Sequence, residues 1–118
     1  MKLVRVGIIG TSWWVDAMYL PSLAGTEKAT VVACCGRNEE RARELASIWN
    51  IPKVYTDWGK MLDEEPLDAV LISTPNDTHC PITLAALEKG LHVLCEKPLA
   101  LNYSEARKMA EAAKAHQA

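Results

Sequence analysis

The stretch VGIIGTSWWVDA, residues 6 to 17, leaves an apolar run at Gly10 and enters a helical pattern, which is where unpaired main-chain N–H groups can hold a phosphate. Aligned there, the pattern G-x-G-x-x-G/A falls on Gly10, Ser12 and Val15, so only its first glycine is present. Gly10 can still make the tight turn. Ser12 puts a side chain where a diphosphate would approach bare backbone, yet its hydroxyl can itself donate to a phosphate oxygen. Thr11 completes the turn, and Trp13 and Trp14 follow it. A tryptophan pair is ordinarily packing; this pair is close enough to the turn to line the mouth of a cofactor or substrate site. A glycine in such a turn serves structure as readily as phosphate binding, so the other strand ends must decide.

The next chemical group is in ACCGRNEE, residues 33 to 40, where an apolar run ends at Gly36 and Arg37 without a carboxylate. An adenosine ribose with a free 2'-hydroxyl is usually met by Asp or Glu, whereas a 2'-phosphate needs a guanidinium and open space. The expectation is therefore NADP, with NAD as second choice. The plainer alternative, a solvated arginine at a helix N-terminus, is opposed by roughly a few tenths of a kcal/mol from the helix dipole. Glu39 and Glu40 come later, in the first helical turn, where they suit its positive end.

These groups need elements to position them. LVRVGIIG (3 to 10), ATVVACCG (29 to 36), KVYT (53 to 56), DAVLIST (68 to 74) and LHVLCE (91 to 96) are short runs rich in β-branched and apolar residues. Several are apolar on both faces, as buried parallel strands require. Helical patterns alternate with them. Asn38 starts one, Asn102 with Glu105 makes a capping-box arrangement before another, and Gly90 closes ITLAALEK. The strict β-α alternation predicts an α/β fold: a Rossmann-type doubly wound parallel sheet in three α-β-α layers, its ligand crevice at the carboxyl ends of the strands.

The whole chain sets the limits. Its 118 residues, 49% of them apolar, suffice for one core and leave no room for a second domain. Net charge is −2 with both signs scattered, so neither nucleic acid nor an acidic membrane is an expected partner. No apolar run reaches transmembrane length and the N-terminus has no signal-peptide core, so the expected location is cytoplasmic. Cys34, Cys35, Cys80 and Cys95 lack C-x-x-C spacing and read as buried reduced thiols, with no metal site expected.

LISTPNDTHCP (71 to 81) and VLCEKPLAL (93 to 101) carry a family resemblance. Thr74-Pro75-Asn76, then His79, a helix, GLHVLCEKPLA and the Asn102 to Glu105 helix start together resemble the N-terminal cofactor domain of the glucose-fructose oxidoreductase, inositol dehydrogenase and rhizopine catabolism (Gfo/Idh/MocA) family. LPSL at 20 to 23 matches as well, and Ser12, Trp13, Trp14 and Val15 depart from the family's usual first turn.

The resemblance implies that Lys97 is catalytic, binding the reacting alcohol and helping to deprotonate it. Chemically this is sound: an ammonium is a compact donor that loses its proton readily when buried, and Pro98 stiffens the loop, a cis bond being one way. Glu96 would hold the loop or the cofactor ribose, and Thr74, Pro75 and Asn76 would lay backbone against the cofactor. His79 fits two roles equally, beside the nicotinamide or as a capping and packing residue of the next helix. His92 and His116 read as structural or solvated.

Family members continue into a second domain that supplies most of the substrate pocket and proton-transfer partners for the lysine. The expectation is therefore that residues 1–118 are an NAD(P)-binding domain of a dehydrogenase or reductase acting on a sugar, cyclitol or similar polyol, inactive when isolated. Any homo-oligomer would form through the missing domain. A non-catalytic NADP-binding sensor or regulatory module is the alternative, favoured by the eroded glycine pattern and opposed by the presence of Lys97.

Overall fold

A computed structural model describes residues 3–118. The five expected strands form, as β1 (Val4–Ile9), β2 (Ala29–Cys35), β3 (Lys53–Tyr55), β4 (Ala69–Ile72) and β5 (His92–Cys95). They make one sheet of order β3-β2-β1-β4-β5, with every neighbouring pair parallel. Between and after them lie α1 (Leu20–Ala24), α2 (Glu39–Trp49), α3 (Trp58–Glu64), α4 (His79–Glu88) and α5 (Tyr103–Ala115). This is the doubly wound Rossmann arrangement that the alternation implied.

Period-2 side-chain placement builds a core on each face of the sheet. On one face Ile9, Ala33, Cys35, Val70 and Ile72 meet Met61 and Leu62 of α3 and Ile82 and Ala86 of α4. On the other Val6, Ile8, Cys34 and Leu71 meet Leu20 of α1 and Ala42 and Leu45 of α2. The central strands are thus buried on both sides. That is why they read as apolar runs and not as alternating ones.

Caps set the helix starts. The Asn38 side chain accepts from Arg41 N at 3.0 Å, and Asn102 accepts from Glu105 N at 2.9 Å. The Glu105 carboxylate reaches back one residue beyond the usual capping box, accepting from Leu101 N at 3.0 Å. Gly90 follows α4 in a left-handed conformation, φ 79°.

The segment after the first turn carries a feature that the periodicity did not show. Val15–Tyr19 is π-helical, with Leu20 N–H donating to Val15 O, five residues back. Pro21 has no N–H to give, so an α-type bond cannot form at that position and the wider turn is accommodated ahead of it.

The winding direction reverses between β1 and β4: the chain proceeds from β1 outward through β2 and β3, then crosses to β4 and β5. The carboxyl ends of these two strands therefore flank the crevice where such folds take ligands. Among the described residues no helix is long and apolar enough to cross a membrane.

Candidate functional site

A groove of about 290 Å³ opens at this crossing. Three strand ends line it: Gly10, Thr11 and Ser12 after β1, Gly36, Arg37 and Asn38 after β2, and Ser73, Thr74 and Pro75 after β4. Gly10 has φ +116° and donates its N–H to Cys35 O at 2.8 Å. A Cβ on Gly10 would stand 2.2 Å from Ser73 O, a main-chain atom that cannot step aside. Glycine is therefore required here both for conformation and for space.

Ser12 fills the position of the missing second glycine. Its hydroxyl stands 3.2 Å from the Ser73 hydroxyl and accepts from Val15 N at 3.4 Å. One hydroxyl in this pair donates to the other, which leaves one O–H free to serve an anion. Trp13 and Trp14 lie beyond the groove lining. Trp13 is 71% exposed and Trp14 41% exposed, with ring centroids 5.8 Å apart, so the pair is no part of the core.

The turn is held from behind by α2. Arg41 Nε donates to Thr11 O at 3.2 Å, while its guanidinium pairs with Asp16 at 3.6 Å and Glu44 at 2.9 Å. Asp16 in turn accepts from Trp49 Nε1 at 2.7 Å. Arg41, Asp16 and Ser73 were not legible as site residues in the sequence. Only Ser73 left a signal, as the hydroxyl residue adjoining Thr74 at a strand end that the fold places next to β1.

At the end of β2, Gly36 is buried and Arg37 is exposed. A Cβ on Gly36 would lie 2.6 Å from Thr11 Cγ2, so this strand end has no room for a carboxylate unless Thr11 moves. The Arg37 guanidinium has no hydrogen bond or ion pair among the described residues, a free cation at the groove rim. Beneath it the thiols of Cys34 and Cys35 are buried; burial raises them to about 11 and about 12, Cys35 being raised further by the charges of Cys34 and Asp57. At the end of β3 the Tyr55 hydroxyl donates to Glu65 at 2.6 Å, which raises its pKa.

The remaining predicted positions gather one strand further along. Asn76 is exposed and begins a single 3₁₀ turn, Asn76–Thr78. Lys97 and Pro98 are exposed beyond β5 and joined by a cis peptide bond. The Glu96 carboxylate accepts from Lys97 N at 3.2 Å. The Lys97 ammonium has no partner among the described residues. His79, whose two readings were open, is fully buried at 0% exposure. Its Nδ1 lies 2.7 Å from Pro98 O and its Nε2 2.9 Å from Thr74 O. The ring is thereby withdrawn from the groove surface. His92 and His116 are exposed, as the solvated reading had it.

A dinucleotide is compatible with these residues on structural grounds. The Gly10 cradle would be filled by a Cβ, the hydroxyl pair offers a donor, and Arg37 is an unpaired cation at the rim.

A five-stranded parallel sheet with a glycine turn at its crossing point defines a Rossmann-type domain. Residues 4–118 match the model of the Gfo/Idh/MocA group, an oxidoreductase family with an NAD-binding Rossmann fold, and the chain belongs to that family. It is 39% identical over 114 residues to the scyllo-inositol 2-dehydrogenase (NADP(+)) of Bacillus subtilis, covering 97% of this chain and 34% of that protein. It is 41% identical over 105 residues to an uncharacterized oxidoreductase, ORF334, of Rhizobium meliloti, covering 89% and 31%. Among solved structures, a dehydrogenase from Chromobacterium violaceum superposes with a TM-score of 0.93 at 31% identity, over 98% of this chain and 34% of that one. The chain thus spans about a third of the length of the curated relatives it matches.

Proposed function

We propose that residues 1–118 are the NADP-binding domain of a dehydrogenase or reductase that acts on a hydroxyl or carbonyl carbon of a sugar, cyclitol or similar polyol. The observation that carries the cofactor reading is the free Arg37 guanidinium beside a strand end, Gly36, that bears no carboxylate and where a side chain would crowd Thr11. A 2'-phosphate there gains a charge-assisted partner, while a bare 2'-hydroxyl finds no acceptor of the usual kind. The relationship to an enzyme named for NADP supports the same choice.

In this reading Gly10, Thr11 and Ser12 hold the diphosphate, Thr74, Pro75 and Asn76 lie along the cofactor, and Trp13 and Trp14 flank the mouth. Glu96 and Pro98 shape the loop that presents Lys97. When bound, the nicotinamide supplies a two-electron hydride acceptor or donor. Lys97 Nζ orients the reacting oxygen by donating to it while protonated, and takes the hydroxyl proton when neutral. Its ammonium has no partner among the described residues, which leaves it available for that work.

The test assays the chain alone for NADPH binding and for hydride transfer with a panel of sugars and cyclitols. Positioning can supply about 7 to 11 kcal/mol of a barrier, and a missing partner acid or base costs a further factor of about a hundred to ten thousand. The expected result is binding without detectable turnover. Robust turnover would contradict the reliance on a second domain, and absence of nucleotide binding would contradict the cofactor assignment.

A further inference from the structure

We propose that His79 is a positioning residue: its buried imidazole clamps the main chain of two loops together and so sets where Lys97 stands beside the groove. The proposal rests on the reading of Lys97 above for its functional meaning, but its structural content stands by itself.

The last rung between β4 and β5 is Glu96 N–H to Ile72 O at 2.9 Å. Past it the chains leave the ladder, one as Ser73 to Thr78 and the other as Lys97 to Asn102. His79 bridges them. Nδ1 meets Pro98 O at 2.7 Å and Nε2 meets Thr74 O at 2.9 Å, from a side chain with no solvent exposure. Both facing atoms are carbonyl oxygens, which can only accept; the neutral ring carries a single N–H, so it donates to one of them while the other nitrogen packs against the second. Thr78 strengthens the same corner through its hydroxyl contact with Thr74 Oγ1 at 2.6 Å.

Two consequences follow from where these carbonyls lie. Thr74 lines the groove, and Pro98 is bonded directly to Lys97. The Lys97 ammonium has no partner among the described residues, so its origin is set by the backbone that His79 holds. An aliphatic residue at 79 could fill the volume but could make neither bond. Glutamine keeps amide N–H donors for these oxygens but on a more flexible side chain. The residue therefore acts through Lys97 and touches no reacting atom in this assignment.

The test uses the 118-residue chain with His79→Leu and His79→Gln, read by amide NMR and by calorimetric titration with NADPH. In the unsubstituted chain a slowly exchanging ring N–H proton of His79 is expected, with cross-peaks to Leu99, whose peptide supplies the accepting oxygen. In folded His79→Leu the Lys97 and Leu99 amide signals should move and broaden, NADPH affinity should fall by about tenfold, and His79→Gln should lie between. Unchanged Lys97 and Leu99 signals in a folded variant would overturn the proposal. So would a freely exchanging His79 ring in the unsubstituted chain, which decides the matter even if His79→Leu does not fold. If the amides respond while the unsubstituted chain binds no NADPH, the clamp stands and the cofactor reading fails.

Discussion

The hydroxyls of Ser12 and Ser73 stand 3.2 Å apart, joining the carboxyl ends of β1 and β4 across the point where the sheet reverses its winding. Ser12 stands where the phosphate-binding pattern has a glycine, and in the proposed reading the pair offers an O–H at the same place. Ser12→Ala/Ser73→Ala is expected to remove that donor, weakening NADPH binding by about 1.5 to 3 kcal/mol if the donated bond reaches a charged oxygen. Ser12→Gly should lose less, since it keeps the Ser73 hydroxyl and regains the space. Titration of the two variants decides it: affinity equal to that of the unsubstituted chain in Ser12→Ala/Ser73→Ala would show that the hydroxyls serve the turn alone.

Trp13 and Trp14 are expected to report on the cofactor. Both are exposed, within a turn of Gly10, so binding of a reduced nicotinamide nucleotide should quench their emission. The double substitution Trp13→Phe/Trp14→Phe should remove most of the quench. Trp58, at the start of α3, is the internal control; Trp49 is a poorer one, because its indole N–H is bonded to Asp16 beside the turn. A quench that survives the double substitution would place the pair away from the cofactor.

The strands and the Asn38 and Asn102 caps were legible in the sequence because side-chain period and cap chemistry are local properties. Arg37 without a carboxylate before it was legible for the same reason. The π-helical Val15–Tyr19 was not, since a change of main-chain register leaves no mark on apolar spacing. His79 was left between two roles because its partners, Thr74 O and Pro98 O, are five and nineteen residues away and converge only in the fold. Arg41 carries no local signal of a site role, because its bond to Thr11 O spans thirty residues.

The paired thiols give a pH-dependent expectation. Burial raises Cys34 to about 11 and Cys35 to about 12 from an ordinary 9.0. Because the folded values are the higher ones, the contribution to stability is whole below pH 9 and is lost as pH rises toward about 11 to 12. Denaturant titrations across that range should show stability falling, less steeply in Cys34→Ala/Cys35→Ala. In the native chain near neutral pH, thiol reagents should leave both residues unlabelled until the protein unfolds. Labelling at the rate of the unfolded chain would contradict their burial.

The most direct test of the central claim compares NADPH and NADH by titration calorimetry on the unsubstituted chain and on Arg37→Ala. Arg37 has no hydrogen-bond or ion-pair partner among the described residues, so the substitution should leave the fold intact and affect only what binds at the end of β2. NADPH should bind at least about tenfold more tightly than NADH, as one charge-assisted contact of about 1.5 to 3 kcal/mol requires. Arg37→Ala should abolish that preference while leaving NADH binding nearly unchanged. Equal affinities in the unsubstituted chain, or a preference for NADH, would contradict the claim.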